Sequence, residues 1–321
     1  DYTGDPDRMD AQIRLFNPDD MDGYHRFVEE ARKIFSVGFE QLADVPFLRM
    51  TDMLKIAPTM VKLRSYLSVY SLVSTFIKNE DLRVVMSFHP LLLGGNPFTT
   101  TSIYSLIAYL ERKWGVWFAM GGTGAIINAL IELFTSLGGE IECNAEVEEI
   151  LVENRRTTGV RLKGGRTLAA EIVVANSDTP YTYRHMLPAS ARRKYTDKRV
   201  DKMKLSMGLF VAYFGTKRTY PDLAHHTILL GPRYRELLDD IFHNKKLAED
   251  FSLYLHAPTR TDPSMAPPGC EAFYVLSPVP HLESGTDWET EGPKYRDKIY
   301  QSLESMCLPE LRNNLVTSQF I

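Results

Sequence analysis

The sequence predicts an α/β fold in which a helical first third gives way to strands. Three observations carry that reading. Apolar residues recur at helical spacing from Met21 to Ile34, and the pattern turns strand-like beyond residue 150. Three late segments rich in β-branched and aromatic residues, 204–215, 250–258 and 271–282, are bounded by Gly or Pro and read as strands of one further sheet.

The first clear helix opens at "NPDDMDGYHRFVEEARKIF". Asn17 can cap it, Pro18 fits its first position, and Asp19 and Asp20 suit the positive end of its dipole. The next segment, 53–79, carries Lys55, Lys62, Arg64 and Lys78 but no acid. Met60, Leu63, Leu67, Tyr70, Val73 and Ile77 fall on one helical face, giving either a helix packed on its own core or a basic amphipathic helix for a lipid surface. Residues 84–110 are uncharged and long enough to span a bilayer, but Pro90, Gly94, Gly95 and Pro97 interrupt them, so no transmembrane helix is expected.

"GGTGAIINALIELFTSLGGEIECNAEVEEI", 121–150, reads as glycine turn, helix, glycine turn and strand. It half resembles a dinucleotide fingerprint, yet Ile127 stands where the third glycine belongs. "TGVRLKGGRTLAAEIVVANSD" then reads as a hairpin turning at Gly164 and Gly165, followed by a buried strand from Ile172 to Ala175. "WETEGPKYRDKIYQSLESM" is a last helix.

Composition narrows the function. The 321 residues are 44% hydrophobic and 24% charged, as in ordinary globular proteins, and the formal net charge of −4 gives no general attraction for nucleic acid. Cys143, Cys270 and Cys307 lie far apart without metal-ligand spacing, and His225 and His226 are neighbours that a strand would turn to opposite faces. No metal site is expected. The chain opens at Asp1 without a basic or apolar leader and is expected to be processed or partial. It gives no oligomeric state.

Several long motifs together resemble one family. "FHPLLLGGNPFTTTSIYSLIAYLERKWGVWFAMGGTGAI", "VVANSD", "LAHHTILLGPRYREL" and "EDFSLYLHAP" are similar to the bacterial-type phytoene desaturases of carotenoid biosynthesis, within the flavin amine oxidase superfamily. The resemblance implies a piece of a two-domain, FAD-dependent fold: a helical, membrane-facing region over 1–114, the central part of the FAD-binding domain over 115–180 and a sheet-containing substrate domain over 181–321. The family's N-terminal glycine fingerprint and C-terminal FAD segment have no match here. The implied substrate is phytoene, a hydrophobic polyene delivered from lipid. Segment 53–79 then becomes a membrane-surface element and the setting cytoplasmic and peripheral. Related carotenoid desaturases or isomerases share the fold, and a non-catalytic membrane-associated binding protein is the rival from another class.

The resemblance also nominates residues. Asp52 in "TDMLKIAP" matches a family acid and is the candidate catalytic carboxylate, with a helix cap as its ordinary alternative. Val147 is expected to meet the FAD adenine through its backbone, with Gly121, Gly122 and Gly124 turning beside the flavin and Ala175 and Asn176 near the cofactor at a strand end. His89, Asn96 and Tyr104 are candidates for lining the flavin or polyene site, or for satisfying local backbone and core.

Overall fold

A computed structural model describes all residues 1–321. The chain forms two compact units, one of Asp1–Gly122 with Ser206–Ile321, the other of Thr123–Leu205.

Six helices, α1 (Pro6–Phe16), α2 (Met21–Gly38), α3 (Met50–Lys62), α4 (Val69–Ser74), α5 (Glu80–Ser87) and α6 (Leu106–Trp114), begin the first unit. Asn17 caps the entry to α2 by accepting from Asp19 N–H at 3.3 Å. Phe27, Ala31 and Ile34 are buried, as their spacing predicts. Gly23 permits a close approach, because a Cβ there would lie 2.0 Å from the carbonyl oxygen of Phe76. The buried Asp20 carboxylate takes the N–H groups of Lys78 and Asn79 at 2.7 and 2.8 Å, tying the start of α2 to the entry of α5.

Segment 53–79 is not the continuous helix that its periodicity suggests. Arg64 has φ 55°, and the chain stays non-helical until Ser68 accepts from Ser71 N–H at 3.1 Å and starts α4. A neighbouring strand-like segment competes for this backbone: Ser102 N–H donates to Leu67 O at 2.9 Å and Val69 N–H to Thr100 O at 3.0 Å. Leu63, Val73 and Ile77 are therefore core residues, whereas α3 buries none. No helix is long and apolar enough to cross a membrane.

The second unit opens with α7 (Thr123–Ser136) and continues as an antiparallel meander of β1 (Val147–Glu153), β2 (Arg156–Leu162) and β3 (Thr167–Ala169). Two short helices, α8 (Thr179–Tyr181) and α9 (Asp197–Val200), follow. The β2–β3 turn falls at Gly164 and Gly165, as read from the sequence. The β1–β2 turn is Asn154–Arg155, where φ of 46° and 67° fits a primed two-residue hairpin. The expected buried strand Ile172–Ala175 does not form. Neither sheet includes it, and Ile172 and Val174 are 81% and 88% exposed. An all-apolar strand of that kind is buried between parallel neighbours, and none pairs with it here.

The first unit resumes with a five-stranded sheet in the order β5-β6-β7-β4-β8, all pairs antiparallel. Its strands are β4 (Gly208–Thr216), β5 (His226–Leu229), β6 (Leu253–His256), β7 (Glu271–Val279) and β8 (Leu315–Phe320). Three of these match the sequence reading; the short β5 and the half-polar edge strand β8 do not announce themselves. Helices α10 (Tyr234–Phe242), α11 (Trp288–Met306) and α12 (Leu311–Asn314) complete the chain. One sheet face buries Phe210, Phe214, Phe273 and Val275 with Tyr295, Ile299 and Leu303 of α11.

Candidate functional site

Strand alternation that buries one sheet face sends the intervening residues to the other. In the register, His226 of β5 pairs with His256 of β6, His256 with Tyr274 of β7, and Tyr274 with Tyr213 of β4. The result is a cross-strand row of four rings. His256 stacks on Tyr274 with ring centroids 4.4 Å apart, and Tyr274 lies 5.9 Å from Tyr213. Tyr254, two residues before His256 and on the same face, bonds His226 Nδ1 at 2.6 Å and His256 Nδ1 at 2.9 Å.

His225 joins the row rather than turning from it. It precedes the first residue of β5, so strand alternation does not govern it, and its ring lies 4.4 Å from His226 and 4.6 Å from His256. The sequence expectation of opposite faces fails for that reason. Phe118 packs edge-on against His225 at 4.7 Å. Burial, followed by the neighbouring His225 and His226, pushes the His256 imidazole down to about 4. Burial also lowers His225 and His226, and burial with a hydrogen bond to Tyr274 raises the Tyr254 phenol. At neutral pH the cluster is uncharged.

The glycine turn sits beside this wall. Gly121 and Gly122 have φ of 83° and 79°, which glycine adopts without strain. Gly121 N–H donates to the Asp262 carboxylate at 2.7 Å, and the adjacent Thr261 hydroxyl meets His225 Nδ1 at 2.5 Å. One corner, Thr261–Asp262, thus fixes both turn and imidazole. Hydrogen bonds from Ser264 and Gly121 hold Asp262 below the usual carboxylate range. Sequence reasoning missed Asp262, whose partner Gly121 lies 141 residues away, and Tyr254, whose role depends on strand pairing that brings His226 beside His256.

In the second unit Gly124 lies in the first turn of α7, with open space where a Cβ would project. Val147 begins β1, an edge strand paired on one side only. Its free edge suits backbone contact with a flat ring. Ala175 and Asn176 are exposed and belong to no strand. Helix α7 buries no residue and exposes Ile126, Ile127, Leu130 and Phe134.

The remaining candidates stay apart from the row. His89 is buried, its Nε2 bonded to Glu111 at 3.3 Å and to the Tyr2 hydroxyl at 3.2 Å. Burial would raise Glu111, but His89 outweighs it and holds the carboxyl below its ordinary value. Asn96 is buried and accepts from Phe98 N–H at 2.9 Å, while Tyr104 is partly exposed. Asp52 accepts from Arg49 N–H at 3.0 Å, closing the first turn of α3.

Comparison with known proteins gives this geometry a context. The family described as "Flavin containing amine oxidoreductase" matches residues 10–269. A lycopene-forming phytoene desaturase from Pseudescherichia vulneris is 51% identical over 99% of this chain and 65% of its own length. A neurosporene-forming phytoene desaturase from Rhodobacter capsulatus is 44% identical over 96% of this chain and 60% of its own. The chain thus spans a little under two thirds of the relatives it matches. A solved putrescine oxidase shares the fold at TM-score 0.59 and 11% identity, covering 95% of this chain and 61% of that one.

Proposed function

Because this chain belongs to the family of flavin containing amine oxidoreductases, whose cofactor is FAD, we propose that the protein is a phytoene desaturase. Similarity along nearly the whole chain to desaturases of that name carries the reading. The cross-strand row of His226, His256, Tyr274 and Tyr213 supports it. An unactivated polyene offers no charge to grip, so the tyrosine end of this row, Tyr274 and Tyr213, can hold and orient it by ring contact without desolvating an ion.

FAD, when bound, takes up the electrons released as allylic C–H bonds break. The free edge of β1 fits backbone contact from Val147 to the adenine. Gly121 and Gly122, held by Asp262, keep the chain in a tight turn beside the ring wall. Asp52 is engaged as a helix cap and is assigned no chemical step.

A lipid-borne substrate calls for a lipid-facing surface. Met50, Leu54, Ala57 and Val61 recur on one side of α3; all are exposed, with Lys55 and Lys62 on the same helix. Such a stripe suits peripheral attachment to an anionic membrane.

The test is expression of the encoding gene in cells whose sole carotenoid is phytoene. Lycopene, neurosporene or another desaturated product is expected. Isomerised but not desaturated carotenoid would favour the isomerase alternative, and unchanged phytoene that co-purifies with the protein would favour a binding protein.

A further inference from the structure

We infer that His225, His226 and His256 form a binding site for a borderline divalent transition-metal ion of the Zn²⁺ type. The inference does not rest on the desaturase reading. One ring nitrogen from each residue lies within 4.8 Å of those of the other two. A tetrahedral ion with bonds of about 2.0–2.1 Å needs ligand nitrogens roughly 3.4 Å apart, so small ring movements complete the set.

The hydrogen bonds prepare the right atoms. His225 Nδ1 is held by the Thr261 hydroxyl, and His226 Nδ1 and His256 Nδ1 by the Tyr254 hydroxyl. Each imidazole thus has a hydroxyl partner at Nδ1 that holds its ring in orientation, as outer partners orient the rings of histidine metal sites. Nε2 of His225 is buried with no partner, an unmet polar atom that a bound ion would satisfy. Cross-strand pairing of His226 with His256 fixes two ligands on a rigid sheet. Three neutral nitrogens without a carboxylate disfavour Ca²⁺ and Mg²⁺ and leave a fourth position for water.

The experiment titrates the full-length protein with Co²⁺ and follows its visible ligand-field absorption, then displaces the Co²⁺ with Zn²⁺. One equivalent is expected to bind saturably. His256→Gln and His226→Gln should each weaken binding at least tenfold, and Tyr254→Phe by roughly tenfold, the lower bound for loss of an outer-sphere partner. Circular dichroism confirms that each variant is folded. If buried His256→Gln does not fold, exposed His226→Gln carries the comparison. No saturable Co²⁺ uptake by the folded protein, or uptake unchanged in the folded histidine variants, overturns the site whatever the protein does with phytoene.

Discussion

At the residue scale, buried polar groups hold the molecule's less regular joints. Asp20 is the clearest case, because its carboxylate satisfies two backbone N–H groups of another segment and accepts from Asn17 Nδ2 at 2.8 Å. Burial would raise Asp20, but the Asn79 and Lys78 N–H groups outweigh it and hold the carboxyl below its ordinary value. Its folded pKa is depressed, so its stability contribution is present above the unfolded value of about 3.9 and is lost as pH falls through the lower folded one. Asp20→Ala should destabilise by about 1.5–3 kcal/mol, the worth of hydrogen bonds to a charged group, as measured by chemical denaturation at pH 7. His256 acts over a different range. Its folded value near 4 lies below the ordinary 6.5, so between them the unfolded chain takes a proton that the folded chain refuses. Metal-free protein should therefore lose thermal stability as pH falls from 6.5 toward 4. A folded His256→Phe variant should show a flatter profile, and an unchanged pH profile would rule out this linkage.

At the element scale, what was legible in the sequence was what local chemistry decides. Asn17–Pro18, the 288–306 helix, the alternating 271–279 strand and the Gly164–Gly165 turn all carry their signals within a few residues. Segment 53–79 was misread because its periodicity is genuine, yet Ser68 and the segment near Thr100 take the backbone that a continuous helix would use. That break changes which residues face out. The apolar stripe belongs to α3 alone, with Met50 and Leu54 at 78% and 68% exposure. Leu54→Glu should reduce co-sedimentation with anionic liposomes several-fold while leaving the melting temperature nearly unchanged, since it touches no core. Equal binding by wild type and variant would remove α3 from the membrane surface.

At the scale of the whole molecule, the two units differ in how fully they bury their apolar residues. The first has an extended core between sheet and α11, with helix clusters of its own. The second leaves α7 and the run 172–175 bare, although both are the kind of segment that proteins cover. The fold class was legible, whereas the ring row was not: His226, His256, Tyr274 and Tyr213 meet only through pairing between strands distant in sequence. With α7 uncovered, residues 1–321 purified alone should carry no stoichiometric FAD, checked by flavin absorbance after heat release. A yellow protein at one FAD per chain would mean that these residues hold the cofactor unaided. The most direct measurement follows the flavin itself. Full-length protein loaded with FAD is mixed anaerobically with phytoene in liposomes. Loss of oxidised-flavin absorbance, together with desaturated carotenoid, is predicted; a flavin that stays oxidised before excess phytoene would contradict the assignment.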